Sequence, residues 1–234
     1  MLDLNNVTAG YRAGVAVVHE ISFRVSAGEA KGLIGRNGAG KTCLAEALIG
    51  NLPLMDGTVV VKGTDVSGMT ALGRVRNHLS LVPEGRLIFG QLTVRENLEM
   101  AAFGADLRLA KAQLEKVEQL FPTLARKRSD AAGTMSGGEQ QWLAIARALV
   151  QEPVAIVLDE PSLGLSPVAI DALTVALKEI RDQGVALVLM EQNPHLLEEL
   201  CDEIFLLDQG RVATAVDFKS GAGSEIVERA YLGA

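Results

Sequence analysis

Lys41 and Thr42 end the run Gly35-Arg36-Asn37-Gly38-Ala39-Gly40-Lys41-Thr42, a glycine, four intervening residues, then Gly-Lys-Thr. That spacing suits a phosphate. Gly35, Gly38 and Gly40 let the backbone curl with no side chain in the way. The exposed N–H groups of the curl, and of a helix beginning just after it, then point at an anion. Lys41 would reach the outer phosphates, and the Thr42 hydroxyl would sit on Mg²⁺. The chemistry needs a strand before the loop and a helix after it. Ala30–Ile34 is short and mostly apolar, and Cys43–Ile49 holds helix formers without a breaker.

Two further groups carry chemistry. Val154–Leu158 is a continuous apolar stretch ending in Asp159-Glu160. A strand end there delivers the Asp159 carboxylate to the metal shell beside the phosphate loop. Glu160, one residue on, is the candidate general base for a water in line with the terminal phosphate, a role worth about 10²–10⁴-fold. Ser136-Gly137-Gly138-Glu139-Gln140 is an N-cap serine with two glycines at the start of a helix, a second anion-facing turn. One terminal phosphate does not need two such sites in one chain. The simplest arrangement is a head-to-tail dimer, in which this turn closes on the nucleotide held by the other chain.

The remaining elements must position these groups. Alternating apolar residues make Leu2–Val7 and Val15–Val25 strands, with Ala9–Gly14, including Tyr11, as the turn between them. Thr58–Lys62 is a strand, Met69–Asn77 a short helix and His78–Val82 a strand leading to Pro83. Thr93-Val94-Arg95-Glu96 is a capping box that opens a helix through about Phe103. Leu107–Phe121 is a helix with Leu107, Ala110, Leu114, Val117, Leu120 and Phe121 on one face and a solvated face of Arg108, Lys111, Glu115, Lys116 and Glu118. A helix runs from Ser136 to about Gln151, and another from the Ser166-Pro167 cap to Gly184. Val185–Met190 is a buried strand ending in Glu191-Gln192. Asn193-Pro194 starts a short helix, and Ile204–Leu207 with Arg211–Val216 forms a hairpin around Asp208-Gln209-Gly210. Strands alternating with helices, several of them apolar throughout, imply an α/β fold with a mostly parallel sheet covered on both faces. The N-terminal strands read as antiparallel, and the run from about 86 to 151 as a helical insert.

Composition narrows the function. The 234 residues suffice for one large domain, and 48% hydrophobic with 22% charged residues is ordinary for a globular core. The net charge of −7 argues against a nucleic-acid partner. A mean hydropathy of +0.23 suits a subunit with a buried interface. No apolar run approaches the ~18 residues of a membrane span, and the start at Met1-Leu2-Asp3-Leu4 is not that of a signal peptide. Cys43 and Cys201 lie far apart without metal-like spacing and read as reduced residues of a cytoplasmic protein.

Taken together, these stretches resemble an ATP-binding-cassette ATPase subunit over nearly the whole chain. Gly35–Thr42 resembles the Walker A motif, Met135–Glu139 the signature, and Val154–Asp159 Walker B. Met135 and Glu139 replace the usual leucine and glutamine and leave Ser-Gly-Gly intact. Pro83-Glu84-Gly85-Arg86 with Ile88-Phe89, Asp159–Leu165 and Met190–Asn193 are similar to the ATPase subunits of importers of branched-chain amino acids and related amides.

The resemblance implies a P-loop NTPase (RecA-like) fold in a single domain over 1–234, with a core of 1–85 and 152–234 and a helical subdomain over about 86–151. It implies ATP and Mg²⁺ as cofactors. It places Tyr11 against adenine, Cys43 beside the nucleotide after the loop, and Glu84 where a glutamine usually senses the metal and the γ-phosphate. Gln192 stands at the position of a switch histidine, and Ser166 at that of an aspartate. Gln192 cannot become a cation but can orient water, as a glutamine does in small GTPases. The implied partners are integral membrane permease subunits, a second cassette chain in a homo- or heterodimer and, indirectly, a periplasmic or extracellular solute-binding protein. The implied place is the cytoplasmic face of the inner membrane, peripherally attached. Arg86-Leu87-Ile88-Phe89 reads either as the floor of a groove for a permease helix or as apolar packing under the helical insert. A soluble cassette of an assembly or regulatory complex, and a lipid-export cassette, are the rival expectations.

Overall fold

In the computed structural model, residues 1–12, 14–102 and 107–217 are described, with only the backbone of 107–110 and 216–217. Ala13, Phe103, the side chains of Leu107, Arg108 and Ala110, and residues 218–234 of the expected single domain lie outside the described residues.

Two sheets and their helices form stacked layers. The first sheet is antiparallel, in the order β2 (Val18–Val25), β1 (Leu2–Ala9), β4 (Leu54–Val61) and β5 (Thr64–Asp65). The second has the order β10 (Arg211–Asp217), β9 (Glu203–Asp208), β3 (Ala30–Ile34), β8 (Ala186–Glu191), β7 (Ala155–Asp159) and β6 (Leu79–Val82). All its neighbours are parallel except the β9–β10 hairpin.

Between the sheets lies α1 (Lys41–Ile49), buried on nearly every side. Its Leu44 and Leu48 join Leu2 and Val7 of β1 and Val157 and Val188 of the parallel sheet in one apolar cluster. Truncating a side chain such as Leu48 at this position typically costs about 2–5 kcal/mol. The other sheet face carries α6 (Gly137–Leu149), α7 (Pro167–Asp182) and α8 (Pro194–Leu200). Strand β7 shows why its sequence is apolar throughout. Ala155 and Val157 feed the α1 cluster, while Ile156 and Leu158 feed the opposite one with Leu143 and Leu177. A strand buried on both faces has no polar alternation to display.

Among the described residues the interval between β6 and β7 holds α3 (Val94–Ala101), α4 (Leu107–Leu120), α5 (Pro122–Arg126), a 3₁₀ turn at Ala132–Thr134, and α6, with one isolated bridge between Thr93 and Ala131. Both expected capping boxes form, Thr93 with Glu96 and Ser136 with Glu139. On α4, Leu114 and Val117 are buried and Lys111, Glu115 and Lys116 exposed. The 3.6-residue period sets that division. The helices share one apolar cluster with the sheet, from Leu98 and Leu124 to Ile156 and Leu158.

The expected strand at Val15–Val25 begins only at Val18. Arg12 and Val15 pair across a tight turn first, and Val17 bonds to Ala9. The short helix α2 (Ala71–Arg76) is capped by Thr70.

Candidate nucleotide site

The parallel register brings the functional stretches to one sheet edge. Ile34 pairs with Glu191, Asp159 with Met190 and Val82 with Leu158, so the carboxyl ends of β3, β8, β7 and β6 finish level. The crevice beyond such strand ends is where open α/β sheets bind ligands. From β3 comes the Gly35–Thr42 loop, from β7 Asp159-Glu160, from β8 Glu191-Gln192, and from β6 Pro83-Glu84. A cavity of about 270 Å³ lies there, lined by Tyr11, Val17, Asn37, Gly38, Gly40, Lys41, Thr42, Cys43, Glu84 and Glu160.

Backbone geometry explains the glycines. Gly40 is the N-cap of α1 at φ 109°. A Cβ there would lie 2.8 Å from Val18 Cγ1, and one on Gly35 would lie 2.6 Å from the Leu207 carbonyl oxygen. Any larger residue would push the loop away from the strands that shape it. Arg36 and Ala39 do not line the cavity. The Arg36 carbonyl accepts from Ala39 N–H at 3.0 Å, and the Ala39 carbonyl from Gly210 N–H at 2.9 Å, so both brace the loop from behind.

The Lys41 ammonium is buried and folded back. It donates to the Gly35 carbonyl at 2.7 Å and the Arg36 carbonyl at 3.4 Å, and lies 3.2 Å from Glu160 Oε1. Gln192 Nε2 lies 2.7 Å from each Glu160 oxygen. Glu160 has a left-handed backbone, φ 48°, and its N–H donates to the Met190 carbonyl at 2.8 Å. That conformation costs roughly 1–2 kcal/mol for a residue with a Cβ, and the Lys41 and Gln192 contacts offset it. Beside it Glu191 accepts from Ser162 N–H at 2.8 Å and from Gln192 N–H at 3.3 Å, and burial holds its carboxyl above the ordinary range.

Asp159 is 2% exposed, and burial pushes its carboxyl up to about 6. A hydrogen bond from Thr42 and the charge of Lys41 oppose that rise, while Glu160 and Glu84 add to it. Its Oδ1 is buried without a hydrogen-bond partner. A hydroxyl, a carboxylate with a free oxygen and a nearby second carboxylate form the oxygen-only donor set that Mg²⁺ takes with few protein ligands and substrate phosphates. Among the described residues no group of three or more His, Cys, Asp or Glu is arranged to hold a metal alone. The residues therefore fit a metal that arrives with phosphate.

Tyr11 lines the cavity and is 61% exposed. Cys43 turns its thiol toward the Ala9 carbonyl at 3.8 Å, and burial raises it to about 11, so it stays a neutral wall of the site. Val17, Glu191 and Ser162 were not singled out by sequence. Val17 reaches the cavity only through the turn after β1, while Glu191 braces the loops behind Glu160 through Ser162 and Gln192 because β8 ends level with β3.

Ser136, Gly137, Gly138 and Glu139 do not line this cavity. The Ser136 hydroxyl caps Glu139 N–H at 3.4 Å, and Glu139 accepts from Ser136 N–H at 3.0 Å. Lys127 lies 2.7 Å from Glu139 and, ahead of the cap bonds, lowers that carboxyl below its usual range. The turn lies beside the start of α7, since a Cβ on Gly138 would be 3.2 Å from that of Ala169.

The chain matches the ABC transporter family over residues 18–163. It belongs to that family. Along its full length it is 39% identical to the high-affinity branched-chain amino acid transport ATP-binding protein BraG of Pseudomonas aeruginosa, covering all of both chains. It is 30% identical to the probable branched-chain amino acid transport ATP-binding protein LivF of Archaeoglobus fulgidus, over 97% of this chain and 94% of that one. Among solved structures, the ATP-binding subunit of an ABC transporter superposes with a TM-score of 0.83 at 27% identity, covering 100% of this chain and 98% of that one. The chain is thus an ATP-binding, ATP-hydrolysing cassette with the P-loop fold. Cassettes of this family dimerise and pair with membrane permease subunits. No helix among the described residues is long and apolar enough to cross a membrane.

Proposed function

We propose that this cassette powers a membrane importer of branched-chain amino acids or related small amides, from the cytoplasmic face of the inner membrane. The observation that carries the site reading is the convergence of Lys41, Thr42, Asp159, Glu160 and Glu84 at the level ends of adjacent parallel strands. The full-length similarity to BraG and LivF supports the solute class.

Each residue has a role. Tyr11 stacks on adenine, and the N–H groups of Gly35–Cys43 wrap the phosphates. Lys41 exchanges the Gly35 and Arg36 carbonyls and Glu160 for the outer phosphate oxygens. Mg²⁺, held by Thr42 and Asp159 with Glu84 facing the same ion or its water, would neutralise charge on those oxygens. Once Lys41 turns to phosphate, Glu160 is free of its cation and takes a proton from the attacking water. Gln192 donates to the Glu160 carboxylate and orients it toward the water, which is why an amide suffices where a cation is usual. Ser136, Gly137 and Gly138, held by Glu139, close on the nucleotide of the second chain.

A groove of about 380 Å³ fits the permease. Pro83, Leu87, Ile49 and Arg147 line it, and Leu87 is 66% exposed. Neighbouring Phe89 is 45% exposed, whereas Ile88 turns inward onto the core. The 86–89 segment thus serves both expected purposes. The helical run 86–151 is a subdomain that carries groove and signature together, and a solute-binding protein acts on the permease from the far side.

The test is ATP turnover of the chain with Glu160→Gln. Turnover falls by about 10²–10⁴-fold while nucleotide binding persists. Equal turnover in the two proteins would remove Glu160 as the base.

A further inference from the structure

Three consecutive residues after Glu84 take left-handed backbone conformations: Gly85 at φ 74°, Arg86 at 67° and Leu87 at 44°. Two of them carry side chains, and such strain persists only where surroundings over-determine it. Here they do. Leu87 N–H donates to the Gly85 carbonyl at 2.8 Å, and Arg147 Nη1 donates to the Leu87 carbonyl at 2.7 Å. The Arg147 guanidinium lies 4.7 Å from the Phe89 ring centre. Fully buried Asn97 bonds both the N–H and the carbonyl of Phe89 at 2.9 Å.

From the edge of the groove, the Arg86 guanidinium reaches between two loops distant in sequence. Its Nε donates to Oε1 of Gln141 at 3.3 Å, and its Nη2 donates to the Leu163 carbonyl at 3.3 Å. Gln141 is 4% exposed and lies one turn into α6 from the Ser136–Gly138 turn. A Cβ on Gly137 would be 3.4 Å from Arg86 Nη2, so the guanidinium lies directly against the first turn of that helix. Leu163 follows Glu160 closely, in the loop that ends at the Ser166 cap of α7.

We propose that Arg86 is a positioning residue. Its guanidinium clasps the Ser136–Gly138 turn and the Leu163–Ser166 loop into one partner-facing unit and ties that unit to the Glu84 loop of its own nucleotide cavity. The proposal rests on the reading that Ser136–Gly138 of one chain closes on the nucleotide of the other. The guanidinium reaches the two acceptors from separate nitrogens, Nε and Nη2, whereas an ammonium would have to bring its single nitrogen within reach of both. Helix α6 does not need the clasp to form, because it has its own capping box and buries Leu143 and Ile145. What the clasp fixes is where the turn sits relative to the loop after Glu160. Both bonds are long for N–H···O, so a shift at Glu84 can loosen them.

The experiment measures MgATP-dependent dimerisation by light scattering in full-length Glu160→Gln, which holds nucleotide without turning it over. Adding Arg86→Ala weakens the dimer at least about tenfold. The affinity of the monomer for a fluorescent ATP analogue stays within about twofold, and the melting temperature stays within a few degrees. Arg86→Lys in the same background recovers only part of the loss. Dimerisation unchanged by Arg86→Ala overturns the clasp. So does a loss matched by an equal loss of monomer nucleotide affinity or by a collapse of the melting temperature, since that is what a purely structural role produces. If Glu160→Gln alone stays monomeric with MgATP, the head-to-tail reading fails and the clasp fails with it.

Discussion

The two glycine turns proposed to meet phosphate handle their charged groups in opposite ways. In the Gly35–Thr42 loop the charges are buried and satisfy one another: Lys41 turns onto Glu160, which Gln192 also holds. At Ser136–Gly138 the capping serine is exposed, and the charged groups stand to one side as a helix cap, Glu139 on Ser136 and Lys127 on Glu139. The first site must break an ion pair before it binds. The second has only N–H groups left over from a helix start and needs no rearrangement of charge.

Lys41→Ala breaks this comparison most severely. It removes the phosphate cation and strands Glu160, so nucleotide affinity measured with a fluorescent analogue falls by more than about 100-fold, whereas losing one charge-assisted bond elsewhere costs far less. Unchanged affinity would show that the self-pairing is incidental.

Asp159→Asn sharpens it. The Asp159 carboxyl is raised from 3.8 to about 6 in the folded chain. Between those values the folded state holds a proton that the unfolded state has released, so the wild type loses stability as pH rises through that window. Without nucleotide, Asp159→Asn melts a few degrees higher than wild type at pH 7, and the gain shrinks toward zero near pH 4. The same variant loses the Mg²⁺ dependence of ATP binding. A gain independent of pH would mean that the buried charge is not its source.

Glu139→Gln is the smallest perturbation. It keeps the cap geometry but gives up the Lys127 pair and the negative charge at the helix start, a loss of about 0.5–1 kcal/mol. Because Lys127 holds the Glu139 carboxyl below its ordinary value, the difference is present at neutral pH and disappears as pH falls through that lowered value. Thermal melts at two pH values read it. Dimerisation with MgATP is retained.

How much of this was written in the chain depends on range. The phosphate loop, both capping boxes and the apolar strands were legible because each is set by neighbours a few residues apart. The short pieces were not. Thr64–Asp65 is too brief to show a period of two, and Pro122–Arg126 follows α4 after Phe121 alone. The site residues themselves were named from motif spacing, but their pairing was not. The Lys41–Glu160–Gln192 chain depends on β3, β8 and β7 lying side by side, an order set by sheet assembly and absent from local sequence. Arg86 was visible as part of the Pro83-Glu84-Gly85-Arg86 stretch and of the apolar-rich run after it, but not as a link between loops. Its aim follows from three left-handed residues, and only the glycine among them advertises that conformation.

The central claim is that this cassette drives a membrane importer, and its partners test that most directly. The chain would be tagged, extracted from its native membranes in mild detergent, and the co-purifying proteins identified. Two polytopic membrane proteins together with a cassette ATPase partner, encoded beside a solute-binding protein for small amino acids or amides, are the expected result. Recovery of soluble partners alone would contradict it, leaving a nucleotide-driven clamp of some other assembly.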